Sequence, residues 1–180
     1  MQYRQIRLMD ISNGEGIGIA LFVQGCEFHC KGCFNQETWN FEDGEEWTNI
    51  TKAHFFELAD KPYIKRISIL GGEPLHAINV LTVYNLCKEI KQKYPEKSIW
   101  LYTGYTLESF WINTGRVITD DFVPERVYRN EILQYIDVLV DGQFVEELKD
   151  LTLKFRGSSN QRLIDVQESL KQNKVVLWDK

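Results

Sequence analysis

Short runs of apolar residues alternate along the chain with stretches in which apolar positions recur at helical spacing. A continuous apolar run of about four to eight residues, bounded by turn residues, is typical of a strand buried on both faces of a parallel sheet. Strands that alternate with helices are typical of βα units. We therefore predict an α/β fold with strands at residues 19–24, 66–70, 98–102 and 136–140.

Two amphipathic helices are predicted between these strands. Residues 48–60 open on residues that favour helix N-caps and place several apolar side chains on one face. Residues 77–93 have a clearer helical spacing and end before Pro95, because the residue that precedes a proline is disfavoured in the helical conformation. Weaker strand patterns occur at 151–155 and 175–178.

The composition is typical of a globular protein. The chain has 180 residues, of which 43% are hydrophobic and 26% charged, and we expect a single domain over residues 1–180. Segment 111–130 carries Gly115 and Pro124 and is expected to be an insertion or a long loop. No apolar run approaches the roughly 20 residues that a membrane span requires.

Charge and the N-terminus narrow the function classes further. A net charge of −5 disfavours nucleic-acid binding, which depends on basic patches. The first ten residues, MQYRQIRLMD, lack a secretory hydrophobic region. We therefore expect a cytoplasmic protein with reduced thiols, in which clustered cysteines indicate metal or redox chemistry.

Three of the four cysteines lie within eight residues, in the sequence CEFHCKGC. Cys26, Cys30 and Cys33 follow the first predicted strand, and Gly25 and Gly32 give the backbone the freedom to bring three sulfurs together. Three thiolates can bind three irons of a [4Fe-4S] cluster and leave the fourth iron open for a substrate, whereas electron-carrying clusters usually have four cysteine ligands. The spacing therefore favours a cluster with an open iron.

Other interpretations of the same cysteines remain. Zinc takes three cysteines and a histidine in many sites, and His54 and His76 are possible remote ligands. Cys30 and Cys33 also form a C-x-x-C pair that is typical of dithiol chemistry, although this leaves Cys26 without a role. Cys87 lies within a predicted helix among apolar neighbours and is expected to be a buried structural thiol.

The cysteine stretch, continued by Phe34, resembles the C-x3-C-x2-C-aromatic signature of the radical S-adenosylmethionine (SAM) superfamily. GGEP at 71–74, at the end of a predicted strand, resembles the glycine-rich motif that binds the methionine amino group of SAM in that superfamily. The resemblance implies a [4Fe-4S] cluster on the three cysteines, with the SAM amino and carboxylate groups on the open iron. It implies SAM contacts from the following residues: Gly32, Cys33, Phe34, Gly71, Gly72 and Glu73.

Within the superfamily the chain resembles glycyl-radical activating enzymes, and most closely the activating proteins of anaerobic ribonucleoside-triphosphate reductases. This likeness rests on the small size and on DISNGEG (10–16), YTGY (102–105), VDGQF (140–144) and FRGSSNQR (155–162). Each stretch also has an ordinary interpretation as a turn or a solvated loop, so none of them is assigned as catalytic. Another radical SAM enzyme and a zinc-binding module remain as alternatives.

The resemblance also implies a fold, a reaction and partners. A full β/α barrel needs about 250 residues, so we expect an incomplete barrel of about six mostly parallel strands with an open edge. The expected reaction reductively cleaves SAM to a 5'-deoxyadenosyl radical, which abstracts hydrogen from a C-terminal glycine of the reductase. The expected electron donor is a low-potential protein such as flavodoxin. No side-chain acid or base is required.

Overall fold

The computed structural model describes residues 1–111 and 124–179. Within these residues one sheet contains seven strands, in the order β3-β1-β2-β4-β5-β6-β7. The strands are β1 (Gln2–Asp10), β2 (Gly18–Val23), β3 (Glu45–Glu46), β4 (Arg66–Gly71), β5 (Ser98–Tyr102), β6 (Val138–Asp141) and β7 (Arg162–Asp165). The α-helices are α1 (Asn49–Ala59), α2 (Val80–Lys93), α3 (Pro124–Glu131) and α4 (Val166–Gln172).

The sheet is mixed, with its parallel part in the middle. Strands β2, β4, β5 and β6 pair in parallel, whereas β1 and β3 on one side and β7 on the other pair antiparallel. The prediction of an α/β fold is confirmed, and the four predicted strands are present with ends shifted by no more than two residues. The parallel part is smaller than expected, because both edges of the sheet are antiparallel.

The two weaker strand predictions were wrong. Residues 151–155 form turns, and in 175–178 only Leu177 makes an isolated bridge, to Ile164. Their apolar residues pack or lie exposed at loop positions, and a short apolar run cannot be assigned to a strand from its sequence alone. The antiparallel strands β1, β3 and β7, which lie outside the parallel part of the sheet, were not predicted.

One face of the central strands packs against helices. The apolar odd-numbered side chains of β2, β4 and β5, such as Leu21, Ile69 and Leu101, are fully buried in a core shared with α1 and α2. Thr48 caps α1 by accepting a hydrogen bond from the Thr51 N–H at 3.2 Å. Both predicted helices are thus confirmed, and Cys87 is buried in α2 as expected.

The other face is covered by the loop that precedes β2. The buried Arg66 guanidinium donates to the Asp10 backbone oxygen at 2.7 Å and to Asp10 Oδ1 at 2.9 Å. It also donates to the backbone oxygen of Asn13. A Cβ on Gly14, at φ +134°, would lie 2.5 Å from Arg66 Cδ. The hydrogen bonds from Arg66 therefore hold the 10–16 loop against the sheet, and Gly14 leaves room for the Arg66 side chain.

The expected insertion at 111–130 is in part an ordered helix. Residues 112–123 lie outside the described residues, and α3 begins at Pro124, as is favoured at the first turn of a helix. No helix within 1–111 or 124–179 is long and apolar enough to cross a membrane.

Candidate functional site

The cysteine loop leaves the sheet at the carboxyl end of β2, which ends at Val23. Its entry is fixed by backbone hydrogen bonds from the Gly25 N–H to the Thr38 oxygen at 2.7 Å and from the Cys26 N–H to the Trp39 oxygen at 3.0 Å. The loop therefore returns to its own starting point, and its three cysteines project from a closed segment.

The GGEP turn lies directly beside this loop, at the carboxyl end of the parallel neighbour β4. The Gly72 N–H donates to the Val23 oxygen at 2.8 Å, and the Glu73 N–H donates to the Gly25 oxygen at 2.7 Å. A Cβ at position 72 would lie 2.5 Å from the Gly25 oxygen. Gly72 is thus required by the close approach of the two loops, and parallel pairing of β2 and β4 explains why they meet.

A buried asparagine fastens the two loops together. Asn79 Nδ2 donates to the backbone oxygen of Gln24 at 2.9 Å and to that of Glu73 at 3.0 Å. Asn79 is fully buried at the N-terminus of α2. Sequence reasoning did not identify it, because an asparagine before a helix has an ordinary role as a cap.

A cavity of about 410 Å³ opens at this end of the sheet. It brings together most of the residues that the resemblance implied. The lining includes Cys26, Cys30, Cys33, Phe34, Gly71, Gly72 and Glu73. Gly32 is not among the lining residues, and its α-carbon instead faces Glu146, whose Oε1 would lie 2.8 Å from an added Cβ.

The stretches that carried the family likeness also reach this cavity. Each of the four stretches contributes at least two lining residues, among them Asn13, Thr103, Gly104, Phe144 and Arg156. These stretches are far apart in sequence but lie at the carboxyl ends of neighbouring parallel strands or pack against them. Their placement supports a functional interpretation over that of isolated turns.

The thiols are partly removed from water. Burial raises the pKa of Cys26 to about 11, and burial also raises the pKa of Cys30. Both thiols are therefore protonated at neutral pH in the metal-free chain, and a metal that binds them must displace protons. Cys87 does not line the cavity, and its burial in α2 raises its pKa strongly.

Within residues 1–111 and 124–179, no group of three or more His, Cys, Asp or Glu side chains is placed to hold a metal ion. His76 instead pairs with Glu27 at 3.3 Å, and His54 is exposed and lies 3.8 Å from Glu57. Neither histidine lines the cavity of the cysteines.

Glu73 is the acidic residue among the described residues of the cavity lining, and it is 2% exposed. Its Oε1 accepts from the Leu75 N–H and from Thr103 Oγ1, and its Oε2 accepts from the Gly104 N–H, each at 2.8 Å. Burial nevertheless raises its pKa to about 7, against these hydrogen bonds and the nearby charge of Arg129. The hydrogen bonds from Thr103 and Gly104 to Glu73 tie the GGEP turn to the residues that follow β5.

Aromatic rings form the remaining walls. Phe28 packs edge-on against Tyr105 at 4.9 Å between ring centroids, and Phe34 lies 5.3 Å from Phe144. A Cβ on Gly104 would lie 2.5 Å from the Phe28 ring. These contacts join the cysteine loop to the segments that follow β5 and β6.

The comparison with known proteins places this site in a family. A family model described as a 4Fe-4S single cluster domain matches residues 12–164. The chain is 39% identical over 163 residues to the anaerobic ribonucleoside-triphosphate reductase-activating protein of Vibrio cholerae, covering 89% of this chain and 96% of that protein. The chain belongs to the anaerobic ribonucleoside-triphosphate reductase-activating protein family. The resemblance inferred from the motifs is thereby confirmed.

Other members of the reductase-activating family come from a bacterium and a bacteriophage. The protein of Escherichia coli K12 is 38% identical, over 89% of this chain and 96% of its own length. The protein of Enterobacteria phage T4 is 36% identical, over 91% of this chain and 93% of its own length. The similarity thus spans the cysteine loop, the GGEP turn and the central sheet together.

Proposed function

We propose that this protein is a radical SAM activase that generates a glycyl radical on an anaerobic ribonucleoside-triphosphate reductase. The observation that carries the proposal is the meeting of three cysteines from one loop with the GGEP turn in one cavity. Membership of the reductase-activating family supports the choice of protein substrate.

The donor set of the cavity fits a [4Fe-4S] cluster. Cys26, Cys30 and Cys33 line one cavity, and Cys87 lies outside it, so three thiolates are provided and the fourth iron has no cysteine ligand. Each thiolate of such a cluster binds a separate iron, so the sulfurs do not have to converge on one ion. A cluster held by these three cysteines would supply, when reduced, the electron that cleaves SAM to methionine and the 5'-deoxyadenosyl radical.

The chain's own residues bind and orient SAM. We assign this role to Cys33, Phe34, Gly71, Gly72 and Glu73, which line the cavity, and not to Gly32, which lies outside the lining. Backbone groups of the glycines admit the ligand closely, and the Glu73 carboxylate, once ionised, favours an ammonium group nearby. Phe28 and Phe34 supply apolar walls beside the cysteines. No side chain is assigned an acid or base role.

The proposal extends to the architecture and the setting of the reaction. The central strands β2, β4, β5 and β6 would form part of a β/α barrel, whose open edge admits the glycine-bearing segment of the reductase. Residues 1–180 would act as one radical SAM domain in the cytoplasm. A low-potential protein such as flavodoxin would supply the electron.

The test is anaerobic reconstitution with iron and sulfide, followed by dithionite and SAM. We expect 5'-deoxyadenosine to form, and a glycyl signal to appear in electron paramagnetic resonance when an anaerobic reductase is added. Replacement of Cys26, Cys30 or Cys33 by alanine is expected to abolish both products and to lower the iron content. The matched control is Cys87→Ala, which removes a thiol outside the cavity and is expected to keep iron and activity.

Three results would contradict the proposal. Stoichiometric zinc in place of iron after anaerobic purification would indicate a zinc-binding module. 5'-Deoxyadenosine without a glycyl signal would indicate another radical SAM reaction. Full activity in any of the three alanine variants would contradict the assignment of Cys26, Cys30 and Cys33 as the cluster ligands.

A further inference from the structure

One basic side chain of the cavity has no partner. Arg7 and Arg156 are the basic residues among the described lining. Arg7 lies 3.7 Å from Asp10 Oδ2, and its guanidinium carbon is 4.6 Å from the centroid of the Phe22 ring. Arg156 makes no hydrogen bond or ion pair within the described part of the chain, and its Nε is buried without an acceptor. A buried guanidinium N–H of this kind is expected to have an acceptor in the occupied state.

The backbone before Arg156 is held in an unusual conformation. Phe155 has φ +59°, in the left-handed region that residues other than glycine rarely adopt. Its ring lies 5.2 Å from Trp100, and its backbone oxygen accepts a hydrogen bond from the Tyr102 hydroxyl at 3.0 Å. Such strain persists where the surroundings impose it and is concentrated at functional sites. It directs the chain so that Arg156 lines the cavity.

The turn after Arg156 is fixed as firmly. Gln161 Oε1 accepts from the Gly157 N–H at 2.9 Å and from the Ser158 N–H at 3.2 Å. Gln161 Nε2 donates to the Gly142 backbone oxygen at 3.0 Å, which ties the turn to the end of β6. Arg156 is thus placed by contacts within the chain on both sides, and such preorganisation is the arrangement expected of a binding residue.

The charges of the cavity complement those of an amino acid. Glu73 supplies the acidic group of the lining, and Arg156 supplies an unpaired cation. The SAM ligand carries an ammonium and a carboxylate on one carbon. A guanidinium binds a carboxylate through two parallel hydrogen bonds, with strong geometric preference.

We propose that Arg156 binds the carboxylate of SAM and makes the cavity selective for a sulfonium that retains this carboxylate. The inference rests on the proposed function and adds a residue to it that neither the cysteine motif nor the GGEP motif contains. A ligand without the carboxylate leaves the guanidinium unpaired, which is how a polar site rejects an analogue.

The test compares two ligands in calorimetry with cluster-loaded, oxidised protein, in which no turnover occurs. The ligands are SAM and its decarboxylated analogue. Arg156→Gln is expected to weaken SAM binding by about 10- to 100-fold, the range for a hydrogen bond to a charged group. It is expected to change binding of the decarboxylated analogue by less than about threefold.

Two further variants separate this contact from net charge and from folding. Arg7→Gln removes a charge from the same cavity lining, but its guanidinium already lies near Asp10. It is expected to change the affinities for both ligands by the same factor. Arg156→Lys keeps the charge without the planar fork and is expected to recover part of the SAM affinity.

The inference is overturned if Arg156→Gln weakens both ligands equally or neither. It is also overturned if Arg156→Gln and Arg156→Lys both lose iron, which would assign the residue to the cysteine loop. Normal SAM affinity with a lost glycyl signal would place a carboxylate of the reductase at Arg156 instead. If wild-type protein binds iron but not SAM, the proposed function fails together with this inference.

Discussion

At the scale of single residues, Glu73 combines burial with a rich set of donors. Three donors from two loops surround its carboxylate at 2.8 Å, which favours the ionised form. Burial opposes this and raises the pKa to about 7, so removal from water outweighs the hydrogen bonds. The result is a carboxyl group that changes its charge close to neutral pH.

This pKa makes stability depend on pH in a defined direction. Between the ordinary carboxyl value of 4.5 and about 7, the folded chain holds a proton at Glu73 that the unfolded chain has lost. The free energy of unfolding therefore falls as pH rises through this window, by roughly 3 kcal/mol at most. Glu73→Gln removes the titrating group, so we expect a smaller fall between pH 4.5 and 7 in urea unfolding of the metal-free protein.

The exposed Glu15, in the 10–16 loop, provides the control for this measurement. Glu15→Gln is expected to keep the full pH dependence of the wild type. The slope of stability with pH is the quantity to compare, because Gln also changes the hydrogen bonds at any single pH. Parallel curves for wild type and Glu73→Gln would show that the carboxyl group titrates normally.

At the scale of elements, the sequence was most informative where burial is continuous. β2 is buried at every position, and its parallel neighbours β4 and β5 are buried at nearly every position, so their apolar runs predicted them closely. β1 has an irregular pattern with two register shifts against β2, and β7 has four residues. Neither sequence pattern distinguishes a strand from a loop, because β1 and β7 are strands only through their pairing with neighbouring strands.

The candidate site shows the same division. The cysteines were identified from their spacing and the GGEP turn from its resemblance to the superfamily motif, since each motif is local. The contacts of α3 were not, because they link residues far apart in sequence. Arg129 Nε donates to the Leu75 backbone oxygen at 2.7 Å, and its Nη2 donates to the Tyr105 hydroxyl at 3.1 Å. The helix that ends the expected insertion thus supports both loops that contact Glu73.

We expect Arg129→Ala to loosen these loops without unfolding the protein. Loss of the two hydrogen bonds and of the guanidinium contact with the Tyr105 ring, at 4.2 Å, lowers the free energy of local opening. Amide hydrogen exchange in residues 73–76 and 103–107 should accelerate at least about tenfold, since each bond contributes on the order of 1 kcal/mol.

The control lies on the same helix. Arg126 is exposed, and Arg126→Ala is expected to leave exchange in both loops unchanged. Equal acceleration in the two variants would mean that α3 acts through its general stability. No acceleration in Arg129→Ala would mean that Asn79 and Glu73 hold the loops without help from α3.

At the scale of the whole molecule, the two ends of the chain cover the sheet face opposite α1 and α2. The 10–16 loop lies on Arg66, and the C-terminal segment adds Trp178, whose ring is 5.0 Å from Trp100 and 6.3 Å from Phe155. The sequence predicted residues 175–178 as a strand, because the apolar run does not reveal that one side chain seals a cluster of aromatic rings. This cluster connects the C-terminus to the left-handed Phe155 and so to the cavity.

Trp178→Ala is therefore expected to have two effects, one on folding and one on the cavity. The free energy of unfolding should fall by about 2–3 kcal/mol in urea, less than for a fully buried tryptophan because Trp178 is only partly buried. SAM affinity of the folded, cluster-loaded protein should fall as well, since Phe155 loses a ring that holds its backbone and Arg156 loses its fixed direction.

Leu177→Ala, at a neighbouring position that is 59% exposed, should change both quantities little. A destabilised Trp178→Ala with unchanged SAM affinity would show that Trp100 and the Tyr102 hydrogen bond suffice to hold Phe155, and that the C-terminus stabilises the fold without shaping the cavity.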